Sequence, residues 1–207
     1  MKKGVLVLLA VVVCLMSCTV NPIDDASFET SVEDGNATIT GYTGSGGNVV
    51  IPPQIYDHPV IAIGDEAFLD KGLTGLTIPD SVTTIGYFAF ANNYLSSVVL
   101  PNSVTTIKSS AFLGNRLSFV TISDSLTAIE NMVFQGNQLI SVTIPASVTA
   151  IGLSAFEGNP LTSITIGTNV TVSPSAFPYL FSGYYQDHGR QAGEYAYNGT
   201  SWSYSPR

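Results

Sequence analysis

Charged residues are the scarcest feature of this sequence. Of its 207 residues, 7 are lysine or arginine and 15 are aspartate or glutamate, so charged side chains make up only 11% of the chain, against about 25% in an average globular protein. A formal charge of −8 argues against a nucleic-acid-binding protein, which needs a basic face. Two cysteines are too few for a disulfide scaffold, and two histidines leave little for a histidine-rich metal site or a histidine-based triad.

Hydroxyl side chains supply the polarity that charge does not. The chain has 23 serines and 20 threonines, with 45% hydrophobic residues and 21 aromatic ones. That apolar content excludes disorder of the whole chain and is enough for a substantial core.

The N-terminus has the organisation of a secretory signal. Lys2 and Lys3 precede an unbroken apolar run over residues 5–16, which is too short to span about 30 Å of hydrocarbon as a helix. The run ends in Ser17-Cys18, which resembles the lipobox of bacterial lipoproteins. We therefore predict a signal peptide (1–17), lipidation at Cys18 and a tether (18–27).

The lipobox interpretation implies a membrane-anchored protein. Several acyl chains on one cysteine hold a protein stably on a membrane, and the absence of aspartate after Cys18 favours the outer membrane. Processing would remove two lysines and change the formal charge from −8 to −10. The alternative is a plain signal peptide cleaved near Ser17, which leaves a free thiol.

A 22-residue repeat dominates the rest of the chain. Five segments align without gaps at their starts, and a partial unit precedes them from residue 60. A leucine begins each of the five at positions 73, 95, 117, 139 and 161, and a phenylalanine recurs at 90, 112, 134 and 156, then one residue early at 177. Such regularity is the signature of a solenoid, in which stacked units bury one continuous core.

Each unit has three sides. The pattern Leu-x-x-Val-x-Ile alternates at its end like a half-buried strand, and Pro or Ser then stops it. Val-x-x-Ile forms a second inward-pointing stretch, and Ala-Phe fills the third side. Gly-Asn then turns the chain, because both residues tolerate positive φ, and the Asn can bond to the backbone of the next coil.

The columns L-x-x-V-T-I-P-x-S-V-T-x-I-G-x-x-A-F-x-x-N over residues 60–177 resemble the BspA-like leucine-rich-repeat family of bacterial surface proteins. The resemblance implies a mainly β fold: a right-handed leucine-rich-repeat solenoid with parallel strands and short 3₁₀ turns. It also implies partners such as host extracellular matrix or plasma proteins, or other bacterial cells. Glycans are a further candidate partner.

Hairpin caps are expected at both ends of the solenoid. Residues 28–59 are interpreted as an N-terminal cap and leading strand, where Asp34-Gly35 is a type I′ hairpin signal. A two-residue loop there pairs Val32 with Ala37 and Thr30 with Ile39. The same side of that hairpin is then shared by Phe28, Val32, Ala37 and Ile39.

Residues 178–207 hold 8 of the 21 aromatic residues and break the repeat. Asn198-Gly199 indicates a second hairpin, whose two-residue loop pairs Tyr197 with Thr200, Tyr195 with Trp202 and Gly193 with Tyr204. One face then carries four aromatic side chains: Tyr195, Tyr197, Trp202 and Tyr204. They either cap the last coil, over Ile164 and Ile166, or form an exposed platform for sugar rings or a protein partner.

No catalytic motif, metal-ligand pattern or cofactor fingerprint stands out. Adjacent acidic residues lie in turns or in the tether, His58 in a loop and His188 in a polar turn. We therefore expect no enzymatic activity, no metal and no cofactor. A glycan hydrolase is the enzymatic alternative, and it would require a carboxylate pair about 5–10 Å apart in a groove.

The outward positions of the Leu-x-x-Val-x-Ile strand form the candidate binding face. The candidates are Thr77, Val99, Phe119, Thr121, Thr143 and Thr165. Phe119 is the one large apolar side chain predicted to point outward, so it is a candidate anchor. These features indicate a non-enzymatic, lipid-anchored surface protein that binds or adheres through its repeat face; a lipoprotein that organises its own cell envelope is the alternative.

Overall fold

The computed structural model describes residues 27–206. The predicted signal peptide, Cys18 and all but the last residue of the predicted tether lie outside the described residues. Between Ser27 and Pro206, no helix is long and apolar enough to cross a membrane.

Seventeen strands and one helix follow one another along the described residues. They are β1 (Phe28–Glu33), β2 (Asn36–Tyr42), β3 (Gly47–Val50), β4 (Gln54–Ile55), β5 (His58–Ile63), β6 (Leu73–Thr77), β7 (Thr84–Ile85), β8 (Ser97–Val99), β9 (Thr106–Ile107), β10 (Phe119–Thr121), β11 (Ala128–Ile129), β12 (Ser141–Thr143), β13 (Ala150–Ile151), β14 (Ser163–Ile166), β15 (Thr171–Val172), α1 (Phe181–Asp187), β16 (Gly193–Tyr197) and β17 (Trp202–Pro206).

The coils stack as a β-solenoid with two columns of parallel strands. The first strand column contains β3, β6, β8, β10, β12 and β14, and the second contains β5, β7, β9, β11, β13 and β15. Strands pair at the repeat distance, as in Ser97 with Phe119 and Thr84 with Thr106. The predicted solenoid of 22-residue coils is therefore confirmed.

Two successive turns form the third side of each coil. In one coil, Ala111 N donates to Lys108 O and Leu113 N to Ser110 O, the i→i+3 pattern of a 3₁₀ turn. The residue shared by the two turns has positive φ in five successive coils although it is never glycine: Glu66, Phe88, Ser110, Met132 and Ser154, with φ between 53° and 62°. A left-handed conformation costs about 1–2 kcal/mol, so hydrogen bonds between coils, such as Ser110 N to Asn131 O at 3.0 Å, must hold it.

The repeated phenylalanines form an aromatic spine through the core. Neighbouring ring centroids lie 4.9–5.8 Å apart at interplanar angles of 4–21°. The series runs Phe68, Phe90, Phe112, Phe134, Phe156 and Phe177. Phe28 and Tyr42 extend it into the N-terminal hairpin, and Phe181 and Trp202 extend it into the C-terminal segment. One continuous apolar core therefore joins both ends of the solenoid.

A buried asparagine ends each central coil. Asn137 accepts the Leu117 N–H through Oδ1 at 3.0 Å and donates through Nδ2 to Phe112 O and Phe134 O. Asn93, Asn115 and Asn159 make equivalent bonds. The asparagine therefore binds its own and the preceding coil, not the following coil as the sequence suggested.

The glycine before Asn115, Asn137 and Asn159 has a separate role. Gly114, Gly136 and Gly158 have φ of 67–71°. A Cβ on Gly158 would also lie 3.3 Å from the Gly136 Cα in the preceding coil. Positive φ and close stacking of coils therefore both favour glycine here.

The N-terminal hairpin has the predicted turn. Asp34 and Gly35 both have positive φ, at 49° and 78°, and Val32 pairs with Ala37 and Thr30 with Ile39 as expected. Val32 is 46% exposed although it lies on the side of the hairpin that Ala37 and Ile39 bury. The hairpin tip, residues 31–35, is exposed throughout, and Phe28, across a bulge from this stretch, pairs with Tyr42 and enters the core instead.

Candidate functional site

The strand face is the set of outward side chains on β3, β6, β8, β10, β12 and β14. Val99 and Phe119 are 60% and 56% exposed, and Thr77, Thr121 and Thr143 are exposed as well. Thr165 is only half-exposed, because β16 pairs beside it and places Glu194 opposite. The predicted inside–outside register of these strands therefore agrees with the structure at every candidate residue.

Apolar side chains are spread over this face among the hydroxyls. Val50 precedes Thr77 and Val99 in one outward row, and Ile140 lies on the same side just before β12. Acidic groups occur at its margin, where Asp80 and Asp124 follow the strands. Arg116 lies at the opposite margin, with its guanidinium 4.4 Å from the centroid of the Tyr94 ring. The face is thus broad, mildly apolar and low in charge.

Hydrogen bonding in the first strand column is interrupted at two places. Strands β3 and β6 pair, β8 and β10 pair, and β12 pairs with β14. Within residues 27–206, no ladder joins β6 to β8 or β10 to β12, although the coils remain bonded nearby, as in Tyr94 N to Leu73 O. The repeat predicts a continuous ladder, so these two gaps are a feature that the sequence did not reveal.

Each gap opens as a cleft in the strand face. Cleft 1, between β6 and β8, has a volume of about 370 Å³, and cleft 2, between β10 and β12, about 300 Å³. Cleft 1 is lined by Leu76, Thr77, Ile78, Asp80, Ser97, Val98, Val99 and Pro101. Cleft 2 is lined by the residues 44 positions later, Val120, Thr121, Ile122, Asp124, Ser141, Val142, Thr143 and Pro145, together with Phe119. The two clefts are therefore equivalent sites two coils apart.

Both clefts combine an apolar interior with an acidic end. Val98 and Val142 are almost fully buried, and Leu76 and Val120 are partly exposed to the opening. Aspartate carboxylates, Asp80 and Asp124, lie at one end of each cleft. Neither carboxylate takes part in an ion pair with another described residue.

The C-terminal hairpin forms with a register that differs from the prediction. Tyr197 pairs with Trp202, Tyr195 with Tyr204 and Gly193 with Pro206. The loop contains four residues, not two, because the Asn198 side chain accepts the N–H groups of Thr200 and Ser201, both at 2.9 Å. A shift of two residues keeps the same side chains on the same face, so the four aromatic side chains still share one face as predicted.

This aromatic face covers a helix that the sequence analysis missed. Helix α1 lies in the segment that breaks the repeat, and its C-cap is His188, which was predicted to lie in a polar turn. Phe181 contacts Tyr195 and Trp202 edge-on at 5.3 and 5.0 Å between centroids. Strand β16 lies beside β14, with Tyr195 opposite Ile164, so the hairpin extends the sheet edge and does not lie across Ile164 and Ile166 as expected.

Burial of the C-terminal aromatic residues favours the cap interpretation over the exposed platform. Tyr195 is fully buried, Trp202 is 7% exposed, and Tyr197 and Tyr204 are half-buried. The Trp202 Nε1–H donates to Tyr179 O at 2.9 Å, and the Tyr195 hydroxyl donates to Gln191 O at 2.8 Å. Burial, with the neighbouring phenols of Tyr185 and Tyr204, raises the pKa of Tyr195.

A shallow cavity of about 610 Å³ lies beside this cap. Its lining includes Tyr179, Leu180, Tyr184 and Trp202. Leu180 is 85% exposed, and it and Tyr179 both have φ of 58°. The cavity is the largest of those described and offers a second location for a ligand.

The two histidines of the described residues are bound to the backbone. The Nδ1 atoms of His58 and His188 lie 3.1 Å from Gly35 O and 2.9 Å from Tyr184 O. No group of three or more His, Cys, Asp or Glu side chains within residues 27–206 could hold a metal ion.

Comparison with protein families identifies the repeat. A model described as the BspA-type leucine-rich-repeat region matches residues 61–182 in six copies. The chain belongs to the BspA-type leucine-rich-repeat family. No curated protein sequence matches it.

Solved structures of bacterial leucine-rich-repeat proteins and of a pneumococcal antigen resemble this chain. A leucine-rich-repeat protein of T. pallidum shares 29% identity at a TM-score of 0.59, over 68% of this chain and 69% of that one. The pneumococcal vaccine antigen PcpA is 18% identical at a TM-score of 0.53, over 72% of this chain and 50% of that one. A leucine-rich cell surface protein of Faecalibacterium prausnitzii is 30% identical at a TM-score of 0.38, over 72% and 55%. The likeness to PcpA concerns the fold alone.

Sequence reasoning located the outward rows of this BspA-type solenoid but not its clefts. Asp80 and Asp124 occupy one repeat column whose other members are Asn102, Ala146 and Thr168, so the position of the two aspartates was visible in the sequence. The opening of the ladder beside them was not, because every coil has the same alternating strand pattern. Tyr179 and Leu180 were missed because they precede a helix that the repeat does not contain.

Proposed function

We propose that this protein is a non-enzymatic, lipid-anchored protein of the bacterial cell surface that binds partners through its strand face. The observation that carries the proposal is the exposure of a broad, low-charge surface in which Phe119 is a large, half-exposed side chain. A large apolar side chain at the centre of an exposed patch is a typical binding anchor. Host matrix or plasma proteins, glycans and other bacterial cells are the partners we propose.

Family membership supports a cell-surface location. PcpA, which shares the fold, is a pneumococcal vaccine antigen. A solenoid that repeats one outward row in every coil also suits a wide contact surface more than a small-molecule reaction.

A binding screen with matched variants tests the strand face. The full-length protein in detergent is applied to arrays of matrix proteins, plasma proteins, glycans and whole bacteria. Phe119→Ser should reduce binding to the captured partner at least tenfold, since burying an aromatic anchor is worth several kcal/mol at an interface. Leu153→Ser is the control, because Leu153 is 52% exposed but lies in the turn after the second strand column. Equal losses, or none, would remove the strand face from the proposal.

The lipid anchor is tested at the two cysteines. Cys18→Ala should abolish acylation and move the protein from the detergent phase to the aqueous phase, whereas Cys14→Ala should leave partitioning unchanged. Protease treatment of intact cells then separates a partner-binding role from the organisation of the cell's own envelope. Digestion of the repeat region supports exposure to external partners, and protection of it supports the envelope role.

A further inference from the structure

We propose that clefts 1 and 2 act together as a two-pronged receptor for a partner segment in polyproline II conformation that carries arginine at every third position. This inference rests on the proposed function of the strand face and names the chemistry of the partner. It is carried by the equivalence of the clefts, by their lining and by their separation.

The lining of each cleft fits a long cationic side chain. Leu76 and Val98 in cleft 1, and Val120 and Val142 in cleft 2, supply apolar walls. An arginine or lysine buries its aliphatic stem against such walls and keeps its charged head at a polar end. The carboxylates of Asp80 and Asp124 stand at those ends, and the strongly acidic chain offers few competing cations.

The interrupted ladder favours arginine over lysine. No ladder joins β6 to β8 or β10 to β12 within the described residues. Thr77 O and Thr121 O bond to the coil on the other side, so the carbonyl oxygens left for a partner are those of the strand residues that face the gap. A guanidinium has five N–H donors in a planar fork and can reach a carboxylate and carbonyls together, which a single ammonium does less well.

The separation of the clefts selects the conformation of the partner. Cleft 2 repeats cleft 1 two coils further along, and neighbouring coils are about 4.8 Å apart, so the clefts lie roughly 10 Å apart. A polyproline II helix has three residues per turn and a rise of about 3.1 Å per residue. Its side chains at i and i+3 therefore point the same way about 9.3 Å apart, whereas a β-strand places i and i+3 on opposite faces.

The strand face also suits the backbone of such a segment. Polyproline II forms no internal hydrogen bonds, so its carbonyl groups need donors. Ser97 and Thr121, exposed on the two strands β8 and β10 that lie between the clefts, present hydroxyl groups toward the partner. Phe119 borders cleft 2 and offers a ring on which a proline can pack.

The test uses two labelled peptides of identical composition and the full-length protein in detergent. One peptide repeats Pro-Pro-Arg, and the other contains the same residues with its arginines at i and i+2. Fluorescence anisotropy should give at least tenfold tighter binding for the three-residue spacing, because only that peptide fills both clefts at once. The difference should shrink as salt is added, since exposed charge pairs are screened.

Single and double substitutions assign the binding to the clefts. Asp80→Asn and Asp124→Asn should each weaken binding of the Pro-Pro-Arg repeat peptide about tenfold. The double variant should bind both peptides equally weakly. Asp57→Asn is the matched control, because Asp57 is exposed in the turn between β4 and β5. It should change the affinity less than twofold.

Three outcomes would overturn the inference. They are equal affinity for the two spacings, affinity unchanged in the double variant, or an equal loss in the Asp57 control. A screen in which Phe119→Ser abolishes partner binding while the peptides fail would overturn the arginine clefts but leave the strand-face function intact. A failure of the Phe119→Ser test together with spacing-dependent peptide binding would keep the clefts and overturn only the role of Phe119 as the anchor.

Discussion

The central coils and the C-terminal cap are stabilised by different kinds of contact. In the coils, each contact recurs: Phe112 stacks between Phe90 and Phe134, and its neighbours do the same one coil away. In the cap, each contact occurs once, as in Trp202 Nε1–H to Tyr179 O or Asn198 to its own loop. Contacts that recur at a fixed spacing can be predicted from the sequence, whereas the single contacts of the cap are recognised only in the structure.

The largest loss of stability is expected when one ring of the aromatic spine is removed. Phe112→Ala should lower the free energy of unfolding by about 3–5 kcal/mol, because it removes a fully buried ring and leaves a cavity. Phe119→Ala, in the next coil, should change stability by less than about 0.5 kcal/mol, because Phe119 is exposed. Urea denaturation followed by circular dichroism measures both. Equal losses would mean that the inside–outside register of β10 is wrong.

A smaller loss is expected from the asparagine column. Asn137→Ala leaves the Leu117 N–H and the carbonyls of Phe112 and Phe134 without their side-chain partner. A buried unsatisfied polar group costs about 1–3 kcal/mol. Gln138→Ala, at the next and exposed position, is the control and should be nearly neutral. If both variants unfold at the same urea concentration as wild type, the column contributes nothing measurable to coil stacking.

The sequence predicted the coils well because packing and periodicity agree there. The Leu, Val, Ile and Phe columns all face inward, and one strand register satisfies every coil. The N-terminal turn was equally readable, since Asp34-Gly35 is suited to two successive positive φ values. These predictions needed only local chemistry repeated in space.

The cap and the clefts could not be read in the same way. Asn198-Gly199 suggested a two-residue loop, but the Asn198 side chain binds the two N–H groups that follow and lengthens the loop. Helix α1 has no side-chain N-cap hydrogen bond and begins after two residues with positive φ, so its start signals are absent. The clefts depend on the spacing between coils, which repeat columns with the same pattern do not encode.

A substitution at the junction between the coils and the cap should separate the unfolding of the two regions. Phe177 stacks on Phe156 at 4.9 Å and contacts Phe181 edge-on, so it joins the spine to the cap. Phe177→Leu keeps the site apolar but removes aromatic contacts worth about 0.5–1.5 kcal/mol each. Because a solenoid transmits stability through nearest neighbours, the cap should then melt before the coils.

Trp202 makes that separation measurable, since it is the single tryptophan and lies in the cap. In wild type its emission should be blue-shifted and weakly quenched by iodide, and the blue shift should disappear in the same thermal transition as the circular dichroism signal. In Phe177→Leu the midpoint of the fluorescence transition should lie several degrees below that of the circular dichroism transition. Coincident transitions in the variant would show that β14 and β16 couple the two regions without the spine.

The smallest effect is expected from one hydroxyl in the cap. Tyr195→Phe removes the bond to Gln191 O and keeps the ring contacts, so at neutral pH the loss should be about 0.5–1.5 kcal/mol. Burial raises the pKa of Tyr195 above its usual 10.0, so the folded protein retains a proton that the unfolded chain releases. That contribution is complete below pH 10 and is lost as the pH rises through the raised pKa. Urea midpoints measured from pH 8 to 11 should therefore fall more steeply in wild type than in Tyr195→Phe, and the two should converge at high pH. Parallel curves would mean that the phenol titrates alike in both states, and the cap would then be more open to water than its contacts indicate.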